Sequence, residues 1–236
     1  MANAILIIGE SGNGKSSSMR NHSDGENILV IQSIDKQLPF KNKITKIVSD
    51  NYEKIKEEMK KTSADIIVLD DVQYLMSNEF MRRATEKGYD KFSEIAQGFW
   101  DLVNSIKDLP ANKRVYLLGH TQCDDRGTER FKTIGKLLDE KITIEGMFTI
   151  VLKAVVNDSR YCFTTQTNGS DTVKSPIGMF DSVLIENDLK YVDEKICNYY
   201  EIGDFKSDEE IKKEDEKKAV EGESEEKPKR RHRRSE

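Results

Sequence analysis

The chain of 236 residues is long enough for one well-buried α/β domain. Its net charge is −5, from 38 basic and 43 acidic side chains, which argues against a surface coated uniformly with nucleic acid but allows a local basic patch. Three separate cysteines, Cys123, Cys162 and Cys197, form no C-x-x-C pair, so neither a disulfide framework nor a zinc site is predicted. No apolar run approaches about 20 residues, so we expect a soluble, cytoplasmic protein with no membrane partner.

The first apolar run, AILIIG, leads directly into a glycine-rich stretch, ESGNGKSSS. Gly9, Gly14, Lys15 and Ser16 fill the pattern G-x-x-x-x-G-K-S/T between a strand and a helix, which is the context of a phosphate-binding loop. Glycines let successive backbone N–H groups point at phosphate oxygens, lysine adds a positive charge, and the serine hydroxyl can ligate Mg²⁺. We therefore expect ATP and Mg²⁺ as ligands; an ordinary strand-to-helix turn is the alternative. The predicted nucleotide-binding residues are Gly9, Glu10, Ser11, Gly12, Asn13, Gly14, Lys15, Ser16 and Ser17.

Short apolar runs alternate with helical patterns along the rest of the domain. Continuous β-branched runs of this kind are typical of strands buried on both faces of a parallel sheet. The five runs predicted to form that sheet are AILIIG, NILVIQ, ITKIVS, DIIVLDD and RVYLLGH. Apolar residues at three- and four-residue spacing predict crossover helices in YEKIKEEMKKT and FSEIAQGFWDLVNSIKDLP, and we expect Trp100 in or near the core.

Two later runs, MFTIVLKAVV and RYCFTTQ, are separated by a polar turn at residues 157–159, which predicts an antiparallel hairpin. The expected fold class is therefore α/β: a mainly parallel sheet flanked by helices, closed by a C-terminal antiparallel hairpin. Two stretches, about 76–91 and 122–140, show no clear element, and long loops in a compact domain are usually functional or mobile.

Carboxylates at the end of a buried strand are the second half of a nucleotide site, and DIIVLDD supplies Asp70 and Asp71 there. We expect Asp70 to hold Mg²⁺ through water and Asp71 to polarise the attacking water. A helix cap is the alternative for this pair. Asp35, just past the second strand, is a rival for the water-activating role.

The strand RVYLLGHTQ ends in His120, Thr121 and Gln122, one of which is expected to sense the terminal phosphate; a buried histidine bonded to backbone is the alternative for His120. The extra cation that hydrolysis needs often comes from a neighbouring subunit. Candidates for it are Arg126, Arg130, Lys132, Lys136, Lys153 and Arg160. The predicted catalytic residues are Lys15, Asp35, Asp70, Asp71 and Thr121, and the predicted metal ligands are Ser16 and Asp70.

Both unassigned stretches mix basic and aromatic residues, the combination that follows phosphates and stacks bases on single strands. An amphipathic helix start and an ordinary surface loop are the respective alternatives. The predicted nucleic-acid contacts are Arg82, Arg83, Lys87, Tyr89, Arg126, Arg130 and Lys132.

The last 33 residues, 204–236, contain 12 acidic and 11 basic side chains and almost no apolar ones. Such a segment cannot bury enough surface to offset its ordering entropy. We therefore expect a folded domain over residues 1–203, followed by a charged tail that is disordered or forms a lone solvated helix.

Several stretches, LIIGESGNGKSSSMRN, IIVLDDVQYLM, KTIGKLLDEK and NGSDTVKSP, resemble a phage-encoded family of small P-loop ATPases with a RecA-like core, the Sak-type single-strand annealing proteins. The resemblance covers about residues 4–200. It implies ATP hydrolysis coupled to binding of single-stranded DNA during recombination or annealing, a single-strand-binding protein as partner, a homo-oligomer, and a location in the host cell cytoplasm. RecA-like proteins commonly place a catalytic glutamate after the second strand, where this chain has QSIDK, so Asp35 and Asp71 both stay candidates.

Two other functions use the same loop. A small-molecule kinase needs an acceptor pocket and a lid that carries arginine, and the stretch DRGTER can be misread as such a lid. An adaptor or loader would bind ATP as a switch, without robust turnover, and act through partners.

Overall fold

The computed structural model describes residues 1–22 and 24–203. Its helices are α1 (Tyr52–Lys61), α2 (Gln73–Arg82), α3 (Asp90–Ser105) and α4 (Leu189–Tyr200). Short 3-10 helices span Ser16–His22, Ile106–Asp108 and Ile144–Met147, and a π-helical turn spans Leu137–Ile142. The strands are β1 (Asn3–Ile8), β2 (Ile28–Gln32), β3 (Thr45–Val48), β4 (Ile66–Asp70), β5 (Arg114–Gly119), β6 (Thr121–Cys123), β7 (Glu129–Phe131), β8 (Ile150–Asn157), β9 (Arg160–Thr164) and β10 (Leu184–Glu186).

In the described ranges, eight strands form one sheet in the order β10-β9-β8-β1-β5-β4-β2-β3. The strands from β8 to β3 in that order run parallel, which confirms a mixed α/β fold with a mainly parallel sheet. The predicted hairpin is confirmed as β8 and β9. However, β8 also pairs in parallel with β1, and β10 continues the sheet beyond β9, an edge strand that the sequence did not predict.

Helices cover both faces of the sheet because each central strand is apolar on both sides. On β1, Leu6 and Ile8 pack with residues of α1, α2 and α3. Ile5 and Ile7 pack on the other face with Met19 of the first 3-10 helix and with α4. This double burial explains why the strands appear as continuous apolar runs rather than as alternating patterns.

Three sequence expectations need correction. Residues 76–82 are not a loop, because α2 runs to Arg82 and buries Leu75 and Met76. The 122–140 stretch contains the β6–β7 hairpin and the π-helical turn. Trp100 is 40% exposed, since a helix turns about 100° per residue and the neighbouring Phe99 takes the buried position.

The expected tail lies outside the described residues. No described helix combines the length and the apolar character needed to cross a bilayer.

The carboxyl ends of the parallel strands lie at one edge of the sheet. Close contacts fix the loop after β1 at this edge. At Gly9, an added Cβ would lie 2.7 Å from the carbonyl oxygen of Ala154 on β8. The same carbonyl accepts a hydrogen bond from Asn13 Nδ2 at 3.2 Å. The glycine is therefore required by the close approach of the two backbones.

We predict that Gly9→Ala lowers the free energy of unfolding by about 1–3 kcal/mol, because the new methyl group overlaps the Ala154 carbonyl. Urea denaturation measures the change. Gly146→Ala is the matched control, since a Cβ at Gly146 meets no atom within 4 Å. Equal stability of Gly9→Ala and the wild type would show that the loop is not held against β8.

Candidate functional site

The side chain of Lys15 folds back over the glycine-rich loop that joins β1 to the first 3-10 helix. Lys15 is only 5% exposed, and its Nζ donates to the carbonyl oxygens of Gly9 at 2.8 Å and Glu10 at 2.9 Å. Burial lowers the pKa of Lys15 to about 8, although the charges of Asp71 and Asp70 act in the opposite direction. Burial of an ammonium is costly for stability unless hydrogen bonds compensate, and a perturbed lysine held in this way beside a cleft is a candidate functional residue.

Asp70 lies fully buried at the end of β4, opposite the start of the 3-10 helix. Its Oδ1 accepts a hydrogen bond from Ser16 Oγ at 2.9 Å, and its Oδ2 accepts one from Gln32 Nε2 at 3.1 Å. Burial raises the pKa of Asp70, and the neighbouring charge of Asp71 raises it further. The carboxylate is therefore oriented by two donors from two different elements.

Asp71 also faces the site because its backbone is left-handed, with φ of 60°. In a regular strand, consecutive side chains point to opposite faces, so this turn lets both carboxylates reach the same edge. Lys36 Nζ donates to Asp71 Oδ2, and His120 Nε2 lies 3.4 Å from Asp71 Oδ1. Backbone conformations of this kind in non-glycine residues concentrate at functional sites.

His120, directly after β5, lies in the same cleft. Its backbone N–H donates to Gln73 Oε1 at 3.2 Å, and burial, followed by the charge of Lys15, lowers the pKa of the imidazole. A neutral imidazole beside Asp71 is thus a polar group of the site. The imidazole is 22% exposed and its Nε2 faces Asp71, which does not support the alternative of a buried histidine bonded to backbone.

A magnesium ion fits the donors that meet at this edge. The part of the chain that the structure describes contains no cluster of three or more His, Cys, Asp or Glu side chains suited to a metal. Mg²⁺, however, is commonly bound by one or two carboxylates together with phosphate oxygens and water. Ser16 Oγ and Asp70 supply such donors, and the buried Oε1 of Gln32 has no hydrogen-bond partner and can accept from a metal-bound water.

Two adjoining clefts meet at the loop. The first, with a volume of about 300 Å³, contains Lys15, Ser16, Lys36, Asp71 and His120 in its lining. The second has a volume of about 670 Å³ and extends between the 3-10 helix and strands β9 and β10.

Tyr161 of β9 and Ser17 line both clefts. A Cβ at Gly14 would lie 2.7 Å from the Tyr161 ring, so the aromatic side chain lies directly against the loop. This contact, together with a φ of 90°, explains the second glycine of the motif.

The other predicted catalytic residues lie elsewhere. Asp35 is an exposed carboxylate paired with Lys46 Nζ at 2.9 Å, and it does not line the cleft. Thr121 begins β6, outside the cleft lining. The sequence predicts both residues only from their position after a strand. A shift of one residue along the chain is enough to turn a side chain away from the site.

The predicted nucleic-acid residues do not line the cleft either, and several have carboxylate partners. Arg82 pairs with Asp50, Arg130 pairs with Asp124, and Arg83 pairs with three glutamates. The remaining predicted contacts are exposed at the surface: Lys87, Tyr89, Arg126 and Lys132.

Sequence reasoning missed Gln32, Lys36, Gln73 and Tyr161. A polar residue that ends an otherwise apolar buried strand was an available signal for Gln32. Lys36 and Tyr161 reach the site through loop and hairpin geometry that no local pattern indicates.

Comparison of the chain with models of known protein families finds no match, and comparison with curated proteins finds no relative.

For ATP, the ligand that the sequence predicts, we expect affinity to fall as pH rises through about 8. Above that pH the Lys15 ammonium loses its proton, and phosphates bind the charged form better. The expected loss approaches tenfold per pH unit, measured without Mg²⁺ between pH 7.5 and 9.5, a range in which ATP phosphates are already ionised. Lys15→Ala should bind weakly with no such slope. A flat wild-type profile would contradict the role of Lys15.

Proposed function

We propose that this protein binds Mg²⁺–ATP at the glycine-rich loop and hydrolyses it, as a RecA-like P-loop ATPase that acts on single-stranded DNA. The observation that supports this most strongly is the pair of buried charges Lys15 and Asp70, with Ser16 bonded to Asp70, at the carboxyl edge of a parallel sheet. In open α/β sheets, ligands bind at that edge.

Each side chain has a separate chemical task in this proposal. Lys15 and the loop N–H groups neutralise phosphate oxygens, while Ser16 and Asp70 hold the Mg²⁺ ion. The ion, when bound, neutralises charge that develops on the phosphoryl oxygens. Asp71 orients the attacking water and accepts its proton, while Gln73 holds the backbone of His120 beside it through Oε1.

The second cleft suits the nucleoside. It begins at Ser17, next to the phosphate side, and its walls combine the Tyr161 ring with Leu184 and Ile185. An aromatic face and aliphatic side chains favour stacking of a purine base. Because Ser17 and Tyr161 line both clefts, the second cleft adjoins the glycine-rich loop. The base and the phosphates of one nucleotide can therefore occupy the two clefts together.

Coupling to DNA is supported by the chain path after β5. His120 contacts Asp71, and the next residue begins the β6–β7 hairpin, which carries exposed Arg126 near its tip. The Lys132 backbone N–H then donates to the His120 carbonyl oxygen at 2.8 Å. A strand bound by this hairpin would therefore act on the residue whose imidazole lies beside the water-activating carboxylate.

The direct test is ATP turnover with and without single-stranded DNA. We expect DNA to stimulate turnover, and Lys15→Ala to reduce it to background because the triphosphate is no longer held productively. Double-stranded DNA of equal length is the control for general charge effects.

The other outcomes distinguish the alternatives. Tight ATP binding with negligible turnover under all conditions would replace the ATPase with an ATP-dependent adaptor. Turnover only with a small acceptor would indicate a kinase. Absence of ATP binding would contradict the proposal altogether.

The nucleoside cleft has its own test. Base–aromatic stacking contributes about 1–3 kcal/mol, so we expect Tyr161→Ala to weaken ATP binding by roughly 5- to 150-fold. Tyr161→Phe keeps the ring and should bind as the wild type does. Inorganic triphosphate, which has no base, should bind both variants equally; an equal loss for it and for ATP would show that Tyr161 only supports the loop.

A further inference from the structure

The first cleft, which Lys15, Ser16 and Asp71 line, contains a second cation that the sequence motifs do not identify. Lys36 follows β2, lines the cleft, and donates from Nζ to Asp71 Oδ2. Its side chain is 41% exposed, whereas that of Asp71 is 5% exposed. The lysine therefore reaches into the cleft from its solvent side and ends on the carboxylate proposed to activate water.

Lys15 and two of the cations predicted as candidates for hydrolysis, Arg130 and Lys153, have different surroundings. Lys15 is bonded to carbonyl groups of its own loop. Arg130 pairs with Asp124, and Lys153 pairs with Glu129 and Asp171 outside the cleft. Among the described residues that line the cleft, Lys36 is the lysine whose carboxylate partner is itself part of the proposed chemistry.

Resting on the proposed ATPase function, we propose that Lys36 exchanges its bond to Asp71 for a bond to the terminal phosphate of ATP. Lys36, and not a residue of a neighbouring subunit, then acts as the cation that stabilises the transition state. A terminal phosphate brings negative charge beside Lys36 and competes with Asp71 for its ammonium. Release from Lys36 leaves Asp71 Oδ2 able to accept a hydrogen bond from water.

The reaction balances with the groups present. The water oxygen forms a bond to the terminal phosphorus while the bond from that phosphorus to the bridging oxygen breaks. ADP leaves with the electron pair, and the water proton passes to Asp71 and then to solvent. Lys36 changes hydrogen-bond partner only and stays protonated; the long, flexible stem of a lysine permits this movement.

The inference predicts that Lys36 distinguishes ATP from ADP. Lys36→Ala should bind a non-hydrolysable ATP analogue about tenfold or more weakly, bind ADP within twofold of the wild type, and lose at least about 100-fold in kcat. Lys36→Arg should retain part of the discrimination. Lys61→Ala is the matched control, because Lys61 also pairs with a carboxylate, Glu57, but does so on the surface of α1.

A second comparison removes the effect of an unpaired Asp71. In an Asp71→Asn background there is no carboxylate to repel the phosphate, so adding Lys36→Ala should still weaken binding of the ATP analogue selectively. Circular dichroism confirms that each variant is folded. Turnover per protein molecule should also be independent of protein concentration, since no neighbouring subunit supplies the cation.

Three results would overturn the inference while leaving ATP binding intact: equal losses for ATP and ADP, no loss in the Asp71→Asn background, or turnover per molecule that rises with protein concentration. Failure of the wild type to bind the analogue would instead contradict the proposed function itself, and the inference with it.

Discussion

The candidate site depends on one constraint, which is that opposite charges are buried close together at one edge of the sheet. Lys15 and Asp70 are both almost inaccessible, yet neither is paired directly with the other. Removing charges from water in this way destabilises the fold unless hydrogen bonds compensate. Carbonyl groups of the loop and the donors Ser16 and Gln32 provide that compensation, so the chain maintains a set of charges whose arrangement suits a polyanion and a metal.

The sheet provides the rigidity that such a site needs. Six adjacent parallel strands bring the ends of β1, β2, β4 and β5 to one edge, and two hydrophobic layers hold those strands from both faces. The loop after β1 is then fixed by backbone contact with β8, while the β8–β9 hairpin brings an aromatic ring against it. Strands far apart in the sequence thus determine the shape of a nine-residue segment near the N-terminus.

The sequence predicted those parts of the molecule whose signals are local. The five parallel strands, the apolar stripe of α3 and the hairpin at residues 157–159 each have a pattern set by burial or turn chemistry, and the structure confirms these elements. Burial on both faces was wrong for β3, which is a partly exposed edge strand. Asp70 and Asp71 were found because they end an apolar run. Asp35 and Lys36 illustrate the limit: the two are adjacent in sequence, but the backbone path after β2 directs the lysine into the cleft and the aspartate to an exposed ion pair. Trp100 shows the same limit on a helix, where a shift of one position separates the buried Phe99 from the partly exposed Trp100.

The most direct measurement is a crystal structure with a non-hydrolysable ATP analogue and Mg²⁺. The account predicts that Lys15 Nζ leaves the Gly9 and Glu10 carbonyls for phosphate oxygens, with the metal held between Ser16 and Asp70. A loop without phosphate, with Lys15 still bonded to its own backbone at saturating analogue, would contradict it.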